Sequence, residues 1–265
     1  MFVNVSQALL LDRVKEFKLL FSTVSVVTNF FNSKLESDDI YLFIDNEGLF
    51  FFDKSKKGNL GRYYFLATHN GFEICNFNIP TNERLVSEYI YQTKVPHTVV
   101  VEHYNNLGFS SYANLKKMSL LDKDDVTQES ASIEECTSLD LPFLRTVFDF
   151  EFDSISERNP SDNDLQDAIE RTSIFKYTVK GRIAGFYWAD TKKFLSELRY
   201  LFVRESFRGK GFGKALFKHH LVQTRLVKKN QLWVLESNLQ AINLYKKFGY
   251  QFDKLQSLIF FKDAV

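Results

Sequence analysis

The chain has 265 residues, 45% hydrophobic and 25% charged, enough for one large domain or two of about 130 residues each. Thirty-four Lys and Arg offset thirty-three Asp and Glu to a net charge of +1, which excludes an overall field drawing the chain to nucleic acid or anionic lipid. Two cysteines, Cys75 and Cys136, and five scattered histidines supply neither a disulfide framework nor a metal-ligand spacing, so no metal is expected and a reducing, cytoplasmic setting is. Asp12, Arg13, Lys15 and Glu16 interrupt the first apolar stretch, and no run reaches about 18 apolar residues, so neither a signal peptide nor a membrane span is expected. Twenty-eight Phe and twelve Tyr stand against eleven Gly and four Pro, which predicts a strand-rich chain with a core built on rings. The rings do not interleave with Arg and Lys on one stripe, as a nucleic-acid platform requires.

Residues 6–31 carry apolar side chains at helical spacing, including Leu10, Val14, Phe17 and Val24, and read as one or two helices. YLFID from Tyr41, LFFFD from Leu49 and RYYFLAT from Arg62 follow as short aromatic strands of an antiparallel meander, with turns at 46–48 and 57–59. Pro80, Thr81 and Asn82 then read as the opening of a helix through Glu83, Val86 and Ile90, and the β-branched block from His97 to His103 as a buried strand.

LDKDDVTQESAS, polar and free of rings, marks a linker, placing a first domain at 1–121, the linker at 122–130 and a second domain at 131–265. The second domain repeats the plan. Helices are expected at 142–150 and 164–171, strands IFKYTV and AGFYWAD around the turn at Lys180 and Gly181, then the strand SELRYLFV. An amphipathic helix from Phe212 to about Val227 follows, with Leu216, Phe217, Leu221 and Thr224 on its inner side and His219 and His220 on its back as structural or solvent-facing residues. The strand LWVLES and a helix from Leu239 to Lys247, stopped by Gly249, complete the order. Tyr104, Gly108 and Phe109 echo Tyr245, Gly249 and Tyr250 at a 141-residue offset, which points to two copies of one domain. In the first copy the helix before that Gly reads as shortened.

The strongest chemical signal is VRESFRGKGFGKALF, a Gly-rich turn between a strand and an amphipathic helix. Glycines there allow close approach, and the first-turn N–H groups of a helix have no intrahelical partner, so such a turn suits an anionic phosphate. A P-loop fails because Arg208 stands at its first Gly and Ala215 at its hydroxyl, and a dinucleotide fingerprint fails because the spacing from Gly209 is G-x-G-x-G. The pattern [QR]-x-x-G-x-[GA] is met by Arg208, Gly211 and Gly213.

With RYLFVRESFRGKGFGKALF and LWVLESNLQAINLYKKFGY in order, the stretch from about Ala184 to Tyr250 resembles the GNAT superfamily of N-acetyltransferases. The resemblance implies an α/β (α+β) fold, a mixed, mostly antiparallel central sheet flanked by helices, here in two tandem halves of which the first is degenerate. It implies acetyl-CoA as co-substrate, with pantetheine along Leu201, Phe202 and Val203, pyrophosphate on the loop Arg208, Gly209, Lys210, Gly211, Phe212, Gly213 and Lys214, and Asn238 against the pantetheine arm. Tyr245 corresponds to the family's tyrosine near the thioester sulfur, suited to protonating the leaving thiolate, and Glu197 resembles in spacing the base of the histone-acetylating branch. Strand alternation places Glu197 on the face of Arg199, Leu201 and Val203. Plainer readings stand beside these: a Gly-rich turn, a helix cap at Asn238, a packed core ring at Tyr245, a solvated charge at Glu197. The leading expectation is an N-acetyltransferase whose acceptor is a small-molecule or protein amine, with a non-catalytic CoA-binding or sensing module as the alternative. A homodimer is left open, and the two cysteines read as small buried hydrophobes.

Overall fold

The computed structural model describes residues 1–20, 26–27, 39–44, 48–54, 60–67, 77–92, 98–121, 133–157 and 159–264. The chain divides into two compact units, one made of Met1–Leu115 with Lys254–Val265, the other of Lys116–Asp253. The linker expected at 122–130 lies outside the described residues, as does Cys75. No helix among the described residues is long and apolar enough to cross a membrane.

In the first unit β1 (Val3–Val5), β3 (Ile40–Ile44), β4 (Gly48–Asp53) and β5 (Leu60–Ala67) form an antiparallel ladder, with β2 (Val26–Val27) also on β5. Helix α1 spans Gln7–Leu20 and buries Leu10 and Val14. β5 then runs parallel to β6 (Arg84–Tyr91), registered only from Leu60 opposite Arg84 to Arg62 opposite Val86. The aromatic core is as expected: Phe50, Phe52, Tyr63 and Phe65 are all fully buried on one face of this ladder.

Two expectations fail here. Residues 84–91 are a strand, not a helix, because both edges are paired: β5 lies on one side and β13 (Gln251–Lys262) antiparallel on the other, with Ser87 opposite Phe260. The Thr81 hydroxyl closes a local turn by accepting from Glu83 N at 3.1 Å, which resembles a helix cap in sequence. Conversely, α2 (Thr98–Asn106) replaces the expected strand. Its three valines favour strands locally, but Val100, His103, Tyr104 and Leu107 recur at helical spacing and all four are buried. Nor is this helix shortened, since α2 and α6 (Leu239–Lys247) each have nine residues and stand at the same 141-residue offset. Both end alike: Phe109 N donates to Tyr104 O and Tyr250 N to Tyr245 O, with Gly108 and Gly249 at φ +82° and +84°.

The second unit repeats the ladder. β8 (Ile133–Glu135), β9 (Ile174–Val179), β10 (Arg182–Lys192) and β11 (Leu195–Val203) are antiparallel neighbours, and β11 runs parallel to β12 (Lys229–Leu235). Helices α3 (Leu141–Phe150) and α4 (Asp162–Glu170) cover one sheet face over Phe186, Trp188, Tyr200 and Phe202; α5 (Phe212–Gln223) and α6 pack with Tyr187, Leu198 and Leu232 on the other. α5 ends at Gln223, where Thr224 Oγ1 turns back onto His220 O at 2.8 Å. His219 and His220 are buried rather than solvent-facing, His219 bonded through Nδ1 to the Tyr187 hydroxyl at 2.9 Å.

Each unit is completed by residues from the other half of the chain. β7 (Ser110–Leu120) delivers Met118 and Leu120 to the core of the second unit, while β13 (Gln251–Lys262) delivers Leu258 and Phe260 to that of the first.

Candidate active site

The parallel register between β11 and β12 runs from Leu195 opposite Lys229 to Leu198 opposite Leu232 and ends there, although both strands continue. From Arg199 onward, among the described residues, β11 therefore keeps a neighbour on one edge only, β10, with Tyr187 opposite Leu201 and Gly185 opposite Val203. The backbone edge of Leu201, Phe202 and Val203 that faces away from β10 is thus the one an extended, amide-bearing ligand arm could pair with. The close β10–β11 approach depends on Gly185, where an added Cβ would lie 2.3 Å from Phe202 O.

Where the strands part, β11 carries a bulge. Trp188 pairs with Tyr200 but Ala189 with Leu198, leaving Arg199 as the extra residue. The bulge resets the alternation: Leu198 joins Leu201 and Val203 against α5, so Glu197 lies on the opposite face, correcting its expected placement beside Leu201 and Val203. Arg199, too, turns from that side, its guanidinium over the Trp188 ring at 5.8 Å and donating to Asp190 Oδ2 at 3.2 Å. Glu197 accepts a 2.6 Å hydrogen bond from Gln231 Nε2 on β12, a tie across the two strands just before they separate.

Beyond β11 a single 3-10 turn, Glu205–Phe207, leads into the Gly-rich loop. Gly209 and Gly211 adopt φ +74° and +88°, the left-handed region that side chains with a Cβ avoid, and apart from the adjoining chain no atom of the described residues stands within 4 Å of where either Cβ would be. Gly211 caps α5, whose first turn holds no acidic residue, so successive N–H groups and the positive helix end meet an open surface. Gly213 lies against Val203, its virtual Cβ 3.5 Å from Cγ2. Arg208 is pinned by Nε to Val203 O at 3.0 Å and Lys210 by Nζ to Ser206 O at 2.9 Å, while Lys214 is exposed. Phe212 packs edge-on to Tyr177 and Phe207, which anchors the helix start. The loop thus offers what a diphosphate requires: backbone donors, fixed cations and room.

Asn238 caps α6 through its side-chain oxygen, which accepts from Ala241 N at 3.1 Å, so the amide nitrogen is the group a ligand would meet. Tyr245, about two turns further along α6, is 7% exposed and packs against Phe217 and Tyr250. Its hydroxyl has no hydrogen-bond partner among the described residues. Burial, and secondarily the Glu157 carboxylate, raise the phenol's pKa, so it stays protonated well above neutrality. No motif singles out Glu157, whose charge reaches Tyr245 only through the fold. Cys136 is buried and its thiol is pushed up to about 12, chiefly by burial, so it is no nucleophile.

Residues 170–252 match the acetyltransferase (GNAT) domain family. A stretch of 85 residues is 37% identical to the spermine/spermidine N(1)-acetyltransferase of Bacillus subtilis (strain 168), covering 28% of this chain and 56% of that protein. The chain therefore spans about half the length of the curated relatives it matches. In fold it is similar to a GNAT-family acetyltransferase from Colwellia psychrerythraea, with a TM-score of 0.57 and 13% identity over 99% of each chain. It is also similar to a tandem GNAT protein from the clavulanic acid biosynthesis pathway, with a TM-score of 0.53 and 11% identity over 86% of this chain and 83% of that one.

Proposed function

We propose that the chain, whose residues 170–252 match the acetyltransferase (GNAT) domain family, is an acetyl-CoA-dependent N-acetyltransferase acting on a primary amine by direct attack in a ternary complex. The observation that carries the reading is the parting of β11 from β12 beside a loop with two left-handed glycines, since together they supply an unpaired strand edge and a diphosphate cradle. Acetyl-CoA, when bound, supplies an activated acyl carbon. The edge of Leu201, Phe202 and Val203 would hold its pantetheine arm, and Arg208 with the backbone of Gly209, Lys210, Gly211, Phe212, Gly213 and Lys214 its pyrophosphate. Asn238 would orient the arm, and Tyr245 would donate its hydroxyl proton toward the departing sulfur. Glu197, tied to Gln231, is assigned to holding β11 and β12 at the point of divergence; its part as the base is a proposal that the Gln231 tie does not favour.

The acceptor is an amine of a small molecule or a protein; spermine and spermidine are the first to test, because the Bacillus subtilis relative is named for them. A non-catalytic CoA-binding module is the second reading, and the unpartnered hydroxyl of Tyr245 speaks against it, since ligand retention alone has no need of that group. Two measurements test the proposal. Acetyl-CoA should raise the melting temperature of the wild-type chain and not of Gly211→Glu, which sets bulk and negative charge against the diphosphate. Thiol release from acetyl-CoA with a panel of primary amines should exceed that without amine; no release with any amine would leave a binding module only.

A further inference from the structure

The lysines that β7 and β12 bring to the second unit differ in how their charge is met. Lys116 is paired with Glu236 and Lys229 with Asp253 at 3.2 Å, whereas the half-buried Lys117 ammonium has no hydrogen bond or ion pair among the described residues. Its Nζ lies instead over the ring of Trp233, 5.5 Å from the centroid, and a ring face holds an ammonium without neutralising it. Both side chains point away from the helix that the Gly-rich loop heads. Met118 and Leu120 of β7 and Leu232 and Val234 of β12 enter the core under α5 and α6, so Lys117 and Trp233, one position removed, lie on the other sheet face. Gln231 is on that face too, with its 2.6 Å tie to Glu197. Trp233 is the first residue of β12 beyond the last parallel pair, Leu198 with Leu232, so its ring stands where the strands part. It is half-buried and belongs to neither core of the unit.

We propose that Lys117 is a specificity-determining residue whose ammonium binds a carboxylate carried by the acceptor, so that the acceptor is an amine that is also an acid, such as an amino acid, rather than a polyamine. The inference rests on the acetyltransferase reading above and names its acceptor class. With the diphosphate on the loop that heads α5 and the pantetheine arm on the edge of Leu201 to Val203, the α5 side of the gap belongs to the cofactor. The amine then reaches the thioester from the opposite face, the one that Lys117 and Trp233 line. The charges around the gap decide the class. Lys229 with Asp253 and Arg199 with Asp190 are ion pairs, which leaves one anion, Glu197 with an oxygen on Gln231, and one cation without a carboxylate, Lys117. A polyamine would bring further cations to that cation, whereas an amino acid matches both signs. The charged groups felt at Lys117 are Glu197, Lys229 and Asp253, and burial outweighs the two carboxylates and lowers its pKa, so an arriving anion would stabilise the ammonium. Lys117 lies outside residues 170–252, so the family match says nothing of it.

The test compares kcat/KM for L-amino acids, β-alanine and 4-aminobutyrate with that for their carboxamides, which keep the amine and lose the negative charge, with spermidine alongside. Concentrations are counted as free amine, and the proteins are wild type, Lys117→Gln, Lys117→Arg and Lys117→Glu. The wild type should favour the acid in its best pair. Lys117→Gln should lower that acid-to-amide ratio about 10- to 10²-fold, through KM, and keep the melting-temperature gain from acetyl-CoA. Lys117→Arg should restore part of the ratio, and Lys117→Glu should invert it. A lysine that merely supports the sheet would move both members of a pair alike, so an unchanged ratio in Lys117→Gln overturns its role. A wild type that acetylates spermidine or the amides in preference to every acid overturns the acceptor class and leaves the acetyltransferase reading standing. A wild type that transfers acetyl to no amine overturns that reading and the inference with it.

Discussion

Phe260, near the end of β13, should behave as a core residue of the first unit. It is fully buried, and its ring stacks on that of Tyr104, centroids 3.9 Å apart and 13° from parallel. Tyr104 is itself fully buried and makes edge contacts with Phe65 at 5.7 Å and Phe109 at 5.5 Å. Phe260→Ala removes the buried ring and leaves a cavity that neighbouring rings cannot collapse into, a loss of about 3–5 kcal/mol, to which the stacked pair adds about 1 kcal/mol. The register fixes where the loss is felt: Phe260 lies opposite Ser87, and Lys262 Nζ donates to Leu107 O at 2.9 Å, so β6 and α2 lose their cover. Hydrogen exchange read by peptide should accordingly accelerate in 60–67, 84–91 and 98–107, with a fall in denaturation midpoint of matching size. Acceleration confined to peptides of 174–235 would refute the assignment of this strand to the first unit.

Three further outcomes are expected. Tyr245→Phe should keep the acetyl-CoA melting shift while turnover falls about tenfold to 10⁴-fold; an unchanged rate with chemistry limiting would make the ring a packing residue. Calorimetry with CoA should give one site per chain, held by the second unit, and a stoichiometry of two would refute that. The Glu157 carboxyl, raised from the ordinary 4.5 to about 7, holds its proton in the folded chain where the unfolded chain has released it, so its favourable term is complete below about pH 4.5 and lost as pH rises through 7. The wild-type chain should therefore lose about 3 kcal/mol relative to Glu157→Gln across that interval, and parallel stability profiles would show the carboxylate to be solvated.

Local signals were legible wherever composition and pairing agreed. YLFI, GLFFFD and IFKYTV are strands because aromatic and β-branched side chains fit a pleated sheet and Gly or polar residues bound them. The Gly-rich loop was legible because left-handed backbone leaves a residue-type imprint at Gly209 and Gly211. What failed was set by tertiary pairing. RLVSEYIY carries apolar residues at both helical and strand spacing, and only β5 and β13 on its two edges decide the matter. TVVVEHYNN has strand propensity but a helical burial pattern, and the core it meets overrides the valines. The bulge at Arg199 depends on register with β10, so the face of Glu197 could not be read from alternation. Glu157 has no motif at all, because its environment is assembled from a turn and from a helix nearly ninety positions away.

The two units show how one topology can hold a ligand slot in one copy and seal it in the other. β5 and β6 part after Arg62 and Val86, as β11 and β12 part after Leu198 and Leu232. In the first unit, however, the first backbone carbonyl past the divergence, Tyr63 O, accepts from Ser87 Oγ at 2.6 Å, which occupies a group that a pantetheine amide would need. Ser87 Oγ also meets the Tyr104 hydroxyl at 2.7 Å, and the Tyr63 hydroxyl meets His103 Nε2 at 2.7 Å. Burial lowers the His103 pKa to about 4, so the ring stays neutral in this network. At the 141-residue offset, Tyr104 answers to Tyr245 and His103 to Leu244, which can make no such bond. The tyrosine that in the second unit offers an unpartnered hydroxyl is thus, in the first, bonded to a serine and stacked beneath Phe260. A ligand arm entering there would have to break three buried hydrogen bonds, each leaving a desolvated polar atom at about 1–3 kcal/mol, and displace a fully buried ring. Binding to the first unit is therefore opposed before any contact with a diphosphate loop is counted, whereas in the second unit the strand edge carries the exposed Arg208 on Val203 O at 3.0 Å in place of a buried network.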